Sequence, residues 1–135
     1  MVKIERSFPA PASLESEAKK VSGSYEQPDV VSRLRKDFHD KCYICELKNL
    51  QNPQVEHLLP HKNGKYPERK FDWNNLFWSC SHCNGIKNQK KYDDGIIDCC
   101  KNDPELMMTF KLKDGKTEIH IIHRALSLGN QSYSI

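Results

Sequence analysis

The stretches Cys42-Tyr43-Ile44-Cys45 and Cys80-Ser81-His82-Cys83 decide the expected fold of this chain, because each is a Cys-x-x-Cys turn. Such a turn can present two thiolates to one tetrahedral metal ion. Two turns of equal spacing are better explained by one shared metal than by four unrelated core cysteines. Four thiolates leave zinc no open coordination position, so we expect a structural Zn²⁺ ion bound by Cys42, Cys45, Cys80 and Cys83. His82 could replace one thiolate, but it is the less favoured ligand.

The composition is that of a small polar chain whose fold needs support beyond its apolar core. The 135 residues are 37% hydrophobic with a mean hydropathy of -0.76, which predicts one domain with a modest core. Residues 1–7 contain no apolar segment of the signal-peptide kind, and no run approaches the roughly 18 apolar residues of a membrane span. We therefore expect a cytoplasmic protein, in which paired cysteines favour metal binding over disulfides. The adjacent Cys99 and Cys100 make a poor chelating pair and are expected to be core residues.

Three segments are expected along the chain. Residues 1–27 form an N-terminal arm with a short helix from Ser13 to Val21, for which Ser13 is a plausible N-cap. Residues 28–92 form the core, which opens with a helix from Pro28 to about Asp40, and residues 93–135 form a hairpin and a tail. The core helix is predicted by an apolar face at 3.6-residue spacing, made of Val30, Val31, Leu34 and Phe38.

Further patterns predict strands and place the class as α+β. Residues 54–59 and 75–79 are strand candidates, and a polar, lysine-rich helix is expected over 81–92. Residues 106–112 and 117–123 flank Asp114-Gly115, which is the turn signal of a β-hairpin. The expected architecture is a small metal-containing unit of two strands and a helix, with flanking helices and this C-terminal hairpin. Three aromatic residues are expected in its core: Trp73, Phe77 and Trp78.

Positive charge is concentrated in one stretch, although the net charge of the chain is only +3. Residues 61–91 contain seven lysine and arginine residues against two acidic residues. Clustered positive charge is typical of phosphate binding, and its plain alternative is a solvated, lysine-rich loop. The lysines expected to contact nucleic acid are Lys62, Lys65, Lys70, Lys87, Lys90 and Lys91.

The order of residues around the two cysteine turns resembles the zinc-containing branch of the HNH endonucleases. Residues 42–91 contain Cys-x-x-Cys, then Glu-His, then Asn-Leu, and finally Cys-x-x-Cys-Asn-x-x-Lys. The resemblance identifies His57, Asn75 and Asn84 as the three motif positions, and Glu56 stands where the family more often has aspartate. It implies a ββα-metal fold and metal-dependent hydrolysis of phosphodiester bonds, with DNA the favoured substrate and RNA possible.

Each motif residue has a role that this chemistry can use. A neutral imidazole can accept a proton near pH 7, so His57 is the candidate general base. Glu56 and Asn84 supply the oxygen ligands that Mg²⁺ or Mn²⁺ prefers. By the resemblance, Asn75 bonds backbone across the loop and orients His57. Successive strand residues point to opposite faces, so Glu56 and His57 can serve one site only if the strand ends or twists there.

The flanking sequence narrows the resemblance to a functional group. The arm Lys-Ile-x-Arg, the segment Ile96-Ile97-Asp98-Cys99 and the segment Asp103-Pro104-Glu105 resemble the HNH proteins of Septu and retron-associated anti-phage systems of bacteria. In that group the nuclease works with an ATPase of the SMC/ABC type, which is the expected partner. Two alternatives stay open: a non-catalytic zinc module that binds nucleic acid or protein, and an RNase that uses the same site.

Overall fold

The computed structural model describes residues 1–87 and 96–121 of the chain. Within those ranges it is an α+β structure, as the sequence predicts, with two antiparallel hairpins and short helices. The helices are α1 (Ser13–Ala18), α2 (Pro28–Asp37), α3 (Pro67–Lys70), α4 (Ser81–Lys87) and α5 (Pro104–Met107), and a 3₁₀ turn covers Trp73–Asn75. The strands are β1 (Pro53–His57), β2 (Leu76–Cys80), β3 (Met108–Lys113) and β4 (Lys116–Ile121).

The first hairpin, formed by β1 and β2, lies at the centre of the core. In its register Glu56 lies opposite Phe77, and His57 lies opposite Leu76. All five residues of β2 are buried, because α2 and α4 both pack against this strand. Since β2 ends at Cys80 and α4 begins at the next residue, strand and helix meet without a connecting loop.

The helix α2 follows the periodicity that predicts it. Pro28 occupies its first turn, where the missing N–H costs nothing, and Val30, Leu34 and Phe38 are fully buried. The ring of Phe38 lies 5.6 Å from that of Phe77 in an edge-on arrangement. The expected aromatic core is confirmed as well, because Trp73, Phe77 and Trp78 are all buried.

The N-terminal arm is part of the core, which the sequence does not indicate. Ile4 is buried, and its backbone N–H donates to the carbonyl of Cys99. The guanidinium of Arg6 donates to the carbonyls of Trp73 and Leu76 at 2.7 and 2.8 Å. It also lies over three aromatic rings, at 4.9 to 5.6 Å from their centres. The arm is therefore bound to its own chain.

Other boundaries differ from those expected in ways that local contacts explain. Helix α1 ends at Ala18 rather than Val21 and is preceded by Ala12. Ser13 lies inside the helix, and its hydroxyl donates to Asp29. The short elements α3, α5 and the 3₁₀ turn were not expected. The helix predicted over 81–92 is described as far as Lys87, and residues 88–95 and 122–135, which include the expected tail, lie outside the described ranges.

The C-terminal hairpin forms where the sequence places it. Strands β3 and β4 pair in register around Asp114 and Gly115, which have φ values of 51° and 73°. Two consecutive positive φ values are those of the tight turn that joins twisted strands. Among the described residues, no helix is long and apolar enough to cross a membrane.

We expect Leu34→Ala to lower the free energy of unfolding by about 2 to 5 kcal/mol, because it leaves a cavity in a packed core. Leu34 is 0% exposed, whereas Leu112 is 78% exposed. The matched control Leu112→Ala should change stability by no more than about 0.5 kcal/mol. Urea unfolding of both variants measures the difference, and equal effects would contradict the described core.

Candidate functional site

The four cysteines of the two Cys-x-x-Cys turns converge on one point. Their sulfur atoms all lie within 4.8 Å of one another, and those of Cys45 and Cys80 are 3.8 Å apart. A tetrahedral zinc ion with Zn–S bonds of about 2.3 Å separates its sulfur ligands by about 3.8 Å. The expected convergence is therefore confirmed, and both the donor set and its dimensions fit a zinc ion.

Local backbone contacts build the cysteine cluster from its two turns. In the first turn, the N–H of Glu46 donates to the carbonyl of Cys42 at 2.9 Å. The N–H of Tyr43 donates to the carbonyl of Trp78 at 3.0 Å, which ties this turn to β2. In the second turn, the N–H of Cys83 donates to the sulfur of Cys80 at 3.4 Å at the start of α4. Strand β2 thus ends at the ligand Cys80, α4 carries Cys83, and the backbone bond to Trp78 holds the first turn beside the strand.

Glu56 lies inside the protein on β1. It is 3% exposed, and its Oε1 atom accepts hydrogen bonds from the Tyr43 hydroxyl at 2.9 Å and from the Lys87 ammonium at 2.9 Å. Burial raises the pKa of Glu56, and the charge of Lys87 opposes that rise. The second oxygen, Oε2, is buried and has no hydrogen-bond partner among the described residues, and the nearby Ser79 hydroxyl lowers the pKa of the carboxyl group.

Lys87, which the sequence suggests as a phosphate contact, is also buried. Its side chain is 5% exposed, and its ammonium bridges Glu56 and the backbone carbonyl of His57, the latter at 2.6 Å. Of the other lysines in the basic stretch, Lys62 and Lys65 are exposed and Lys70 is half-buried. Lys90 and Lys91 lie outside the described residues.

The ring of His57 is half-buried and has a defined set of partners. Its Nε2 atom lies 3.0 Å from the carbonyl oxygen of Lys70. Since a carbonyl can only accept, Nε2 carries the proton in this contact and Nδ1 keeps its lone pair. The rings of Tyr25 and His61 pack edge-on against it, with centroids 4.5 and 4.8 Å away. Burial lowers the pKa of His57 to about 4, so the ring is neutral near pH 7.

Asn75 fastens the chain that follows His57. Its Oδ1 accepts from the N–H of Leu59 at 2.8 Å, and its Nδ2 donates to the carbonyls of Leu59 and Arg69 at 2.9 and 3.0 Å. These bonds join the two ends of the loop between Leu59 and Arg69. Lys70, whose carbonyl accepts from the His57 ring, directly follows this loop. Asn75 therefore makes the cross-loop backbone contacts that the resemblance implies.

The structure separates the expected catalytic residues into two groups. Glu56 lies with Lys87 and Tyr43, whereas the ring of His57 lies with Tyr25, His61 and the loop fastened by Asn75. Asn84 is half-buried on α4, one turn before Lys87, and this helix packs against β1. Strand β1 ends at His57. A strand end at this position is what Glu56 and His57 would need in order to serve one site.

Three side chains of this region were not predicted from the sequence. Tyr25 and His61 contact the His57 ring, and Tyr43 donates to Glu56. Tyr25 lies 32 residues before His57 in a segment without periodicity, so no local pattern indicates it. The position of Tyr43 between two zinc-type ligands was a usable signal, because a side chain there must lie close to the cluster.

The chain is similar to the Septu protein PtuB of Bacillus thuringiensis, with 31% identity over 110 residues. The match covers 72% of this chain and 41% of the relative, so the chain spans about two fifths of the length of the curated relative it matches. No protein-family model matches the chain, and no solved structure matches it. The similarity supports a link between this chain and Septu proteins.

We expect the purified protein to contain about one zinc ion per chain, as measured by elemental analysis. Cys80→Ser should lose most of the zinc and much of the stability, because three thiolates bind the ion less tightly and metal binding contributes to folding. Cys100→Ser is the matched control, since Cys100 lies outside the cluster. A folded wild type without zinc, or equal zinc content in both variants, would contradict the assignment.

We also expect His57 to make folding stability depend on pH. Because its pKa in the folded protein, about 4, lies below the ordinary value of 6.5, its contribution is fully present above pH 6.5 and is lost as the pH falls through about 4. Between pH 7 and pH 4, wild type should lose up to about 3 kcal/mol more stability than His57→Gln. Protonation of the cysteines affects both proteins, so parallel profiles would contradict a buried neutral His57.

Proposed function

We propose that this chain is the nuclease component of a Septu-type anti-phage system and that it hydrolyses phosphodiester bonds, with DNA as the favoured substrate. The observation that carries this proposal is the arrangement of His57. Its ring is neutral, is fixed through Nε2, and keeps a free lone pair on Nδ1. The HNH-type order of the surrounding motifs and the similarity to the Septu protein PtuB agree with it.

His57 acts as the general base in this proposal. Attack of water on a phosphodiester requires that a proton leave the water as the new P–O bond forms. Nδ1 of His57 accepts that proton, and the bond from Nε2–H to the Lys70 carbonyl stabilises the imidazolium that results. Asn75 keeps this carbonyl in place because it fastens both ends of the loop.

We propose that a hard divalent cation completes the site beside the Glu56 carboxylate, whose other oxygen is paired with Lys87 at 2.9 Å. Within residues 1–87 and 96–121 the buried Oε2 of Glu56 has no hydrogen-bond partner, and a carboxylate oxygen is a preferred ligand of Mg²⁺ or Mn²⁺. Glu56 and Asn84 are the residues that would hold the ion, on strand β1 and on the helix that packs against it. Such a cation neutralises charge on the phosphate and on the leaving oxygen.

The exposed lysines supply the binding surface. Lys62 and Lys65 follow β1 in the loop that leads away from His57. Cations at such positions neutralise backbone phosphates and fix the register of the substrate without reading its sequence. Backbone contacts of this kind are compatible with either DNA or RNA, so the substrate class is decided by experiment.

We expect His57→Ala to lower the rate of cleavage by ~10²- to 10⁴-fold without unfolding the protein, because loss of a general base has an effect of this size. Plasmid DNA and total RNA are each incubated with wild type and variant in Mg²⁺ or Mn²⁺, and a chelator at a concentration that spares the zinc should stop the reaction.

The matched control for this experiment is His82→Ala, which removes an exposed histidine of α4. It should cleave at the wild-type rate and keep its zinc. A His57→Ala protein that melts like wild type and cleaves equally fast would contradict the base assignment. Absence of cleavage by wild type under all conditions would favour the non-catalytic zinc module.

We further propose that the chain works with an ATPase partner of the SMC/ABC type. This rests on the similarity to a Septu protein and on two exposed apolar residues of the C-terminal region, Leu106 and Leu112, which are 68% and 78% exposed. Contiguous exposed apolar patches are typical of partner contacts, and we propose that these two leucines belong to one. In the N-terminal arm, Ile4 and Arg6 are engaged in the core, whereas Phe8 is 62% exposed.

When the chain is co-expressed with its neighbouring genes, we expect an ATPase to copurify through a tag on the chain. The double substitution Leu106→Asp and Leu112→Asp should abolish this copurification, because it places charges in an apolar contact. Leu47→Asp is the matched control, since Leu47 is also exposed but lies just after the first cysteine turn, far in sequence from the C-terminal hairpin. Copurification that survives the double substitution would rule out this surface.

A further inference from the structure

We propose that Lys87 is a positioning residue for His57 and does not contact the phosphate backbone; this inference rests on the nuclease function proposed above. Lys87 lies in the basic stretch, where a lysine is ordinarily expected to face nucleic acid. Its ammonium instead donates to the main-chain carbonyl of His57 at 2.6 Å and to Oε1 of Glu56 at 2.9 Å. The side chains of Lys87 and Glu56 are 5% and 2% exposed.

A buried ammonium is retained in a small core only when its bonds are satisfied. Removal of a charge from water is unfavourable unless an opposite charge and hydrogen bonds replace the lost hydration. Glu56 supplies the opposite charge, and the Tyr43 hydroxyl donates to the same oxygen and fixes the carboxylate. Lys87 is therefore held in one position, whereas a lysine that binds backbone phosphates has to be exposed.

The contact between the Lys87 ammonium and the His57 carbonyl fixes the backbone that carries the proposed general base. His57 is the last residue of β1, and the peptide unit that follows it is held by the bond from the N–H of Leu58 to the carbonyl of Asn75 at 3.0 Å. The ammonium of Lys87 donates to the carbonyl of His57, and the backbone carbonyl of Lys70 accepts from its ring. Two residues further on, the N–H of Leu59 donates to the side chain of Asn75. Displacement of a catalytic group by even 1 Å reduces rates strongly. Loss of the Lys87 contact removes one of these constraints.

The same lysine orients the carboxylate of Glu56. Because Lys87 and Tyr43 both bond to Oε1, the second oxygen keeps a fixed direction. One buried side chain thus sets the backbone of the proposed base and the carboxylate of the proposed cation ligand. An exposed lysine in the same stretch, such as Lys65, has no comparable internal contacts with either residue.

The experiment compares Lys87→Met with two other lysine-to-methionine variants. Lys65→Met removes an exposed lysine of the basic stretch, and Lys36→Met removes an exposed lysine of α2 that is far from it in sequence. Binding of a short duplex is measured against salt concentration, and cleavage is measured at saturating duplex. Lys87→Met should cut about 10- to 100-fold more slowly with the salt slope of wild type. Lys65→Met should lower the slope by about one unit, and Lys36→Met should change neither.

A structural measurement separates this inference from the nuclease proposal. In wild type, nitrogen-detected NMR of the imidazole should show one neutral His57 tautomer with the proton on Nε2, because the Lys70 carbonyl accepts from it. In Lys87→Met the ring should lose that single state and show a mixture of tautomers. If wild type does not cleave nucleic acid, the proposed function fails, whereas the tautomer still tests the role of Lys87.

A second variant covers the case in which Lys87→Met fails to fold, because that substitution leaves the buried carboxylate of Glu56 without its counter-ion. The double variant Glu56→Gln with Lys87→Met removes both charges, and only its tautomer and salt slope are recorded. A mixed tautomer with an unchanged slope supports the proposal. A salt slope lowered by about one unit, or a His57 ring that keeps its wild-type tautomer, overturns it.

Discussion

The convergence of four cysteine sulfurs within 4.8 Å is the constraint on which the rest of this structure depends. The chain has a low mean hydropathy of -0.76 and a small core, and one metal ion bound by four thiolates can contribute on the order of 10 kcal/mol to folding. The ion would join the two cysteine turns at the end of β2. One turn begins at Cys80, the last residue of this strand, and the other is bonded through Tyr43 to Trp78 in the same strand.

Two side chains, Tyr43 and Lys87, link the cysteine cluster to the proposed active site. Tyr43 lies between Cys42 and Cys45, and Lys87 is the last described residue of α4, the helix that begins directly after Cys80 and contains Cys83. Both reach the carboxylate of Glu56, and Lys87 continues to the carbonyl of His57. Loss of the metal would therefore move both donors at once, so a structural ion in this position also affects the geometry of the proposed base.

Patterns that are local in sequence predicted the fold well, and contacts between distant residues were not predictable. The periodicity of α2, the Asp114-Gly115 turn and the matched cysteine spacings each depend on a few neighbouring residues, and all three are confirmed. Arg6 could not be placed in the same way, because its partners Trp73 and Leu76 lie 67 and 70 residues away. Lys87 was expected at the surface for a related reason: composition shows that a stretch is basic, but only the fold shows which lysine has a buried carboxylate to pair with.

The division of β1 into two faces determines how a substrate could reach the proposed site. Alternation along the strand places Glu56 with its buried charge partner and turns His57 toward Tyr25 and His61. The strand ends at His57, so the chain that follows is free of this alternation. The exposed lysines Lys62 and Lys65 follow at that end. If the chain is a nuclease, the scissile phosphate therefore approaches from this loop side, and the rigidity of the loop, which Asn75 provides, matters as much as the identity of the base.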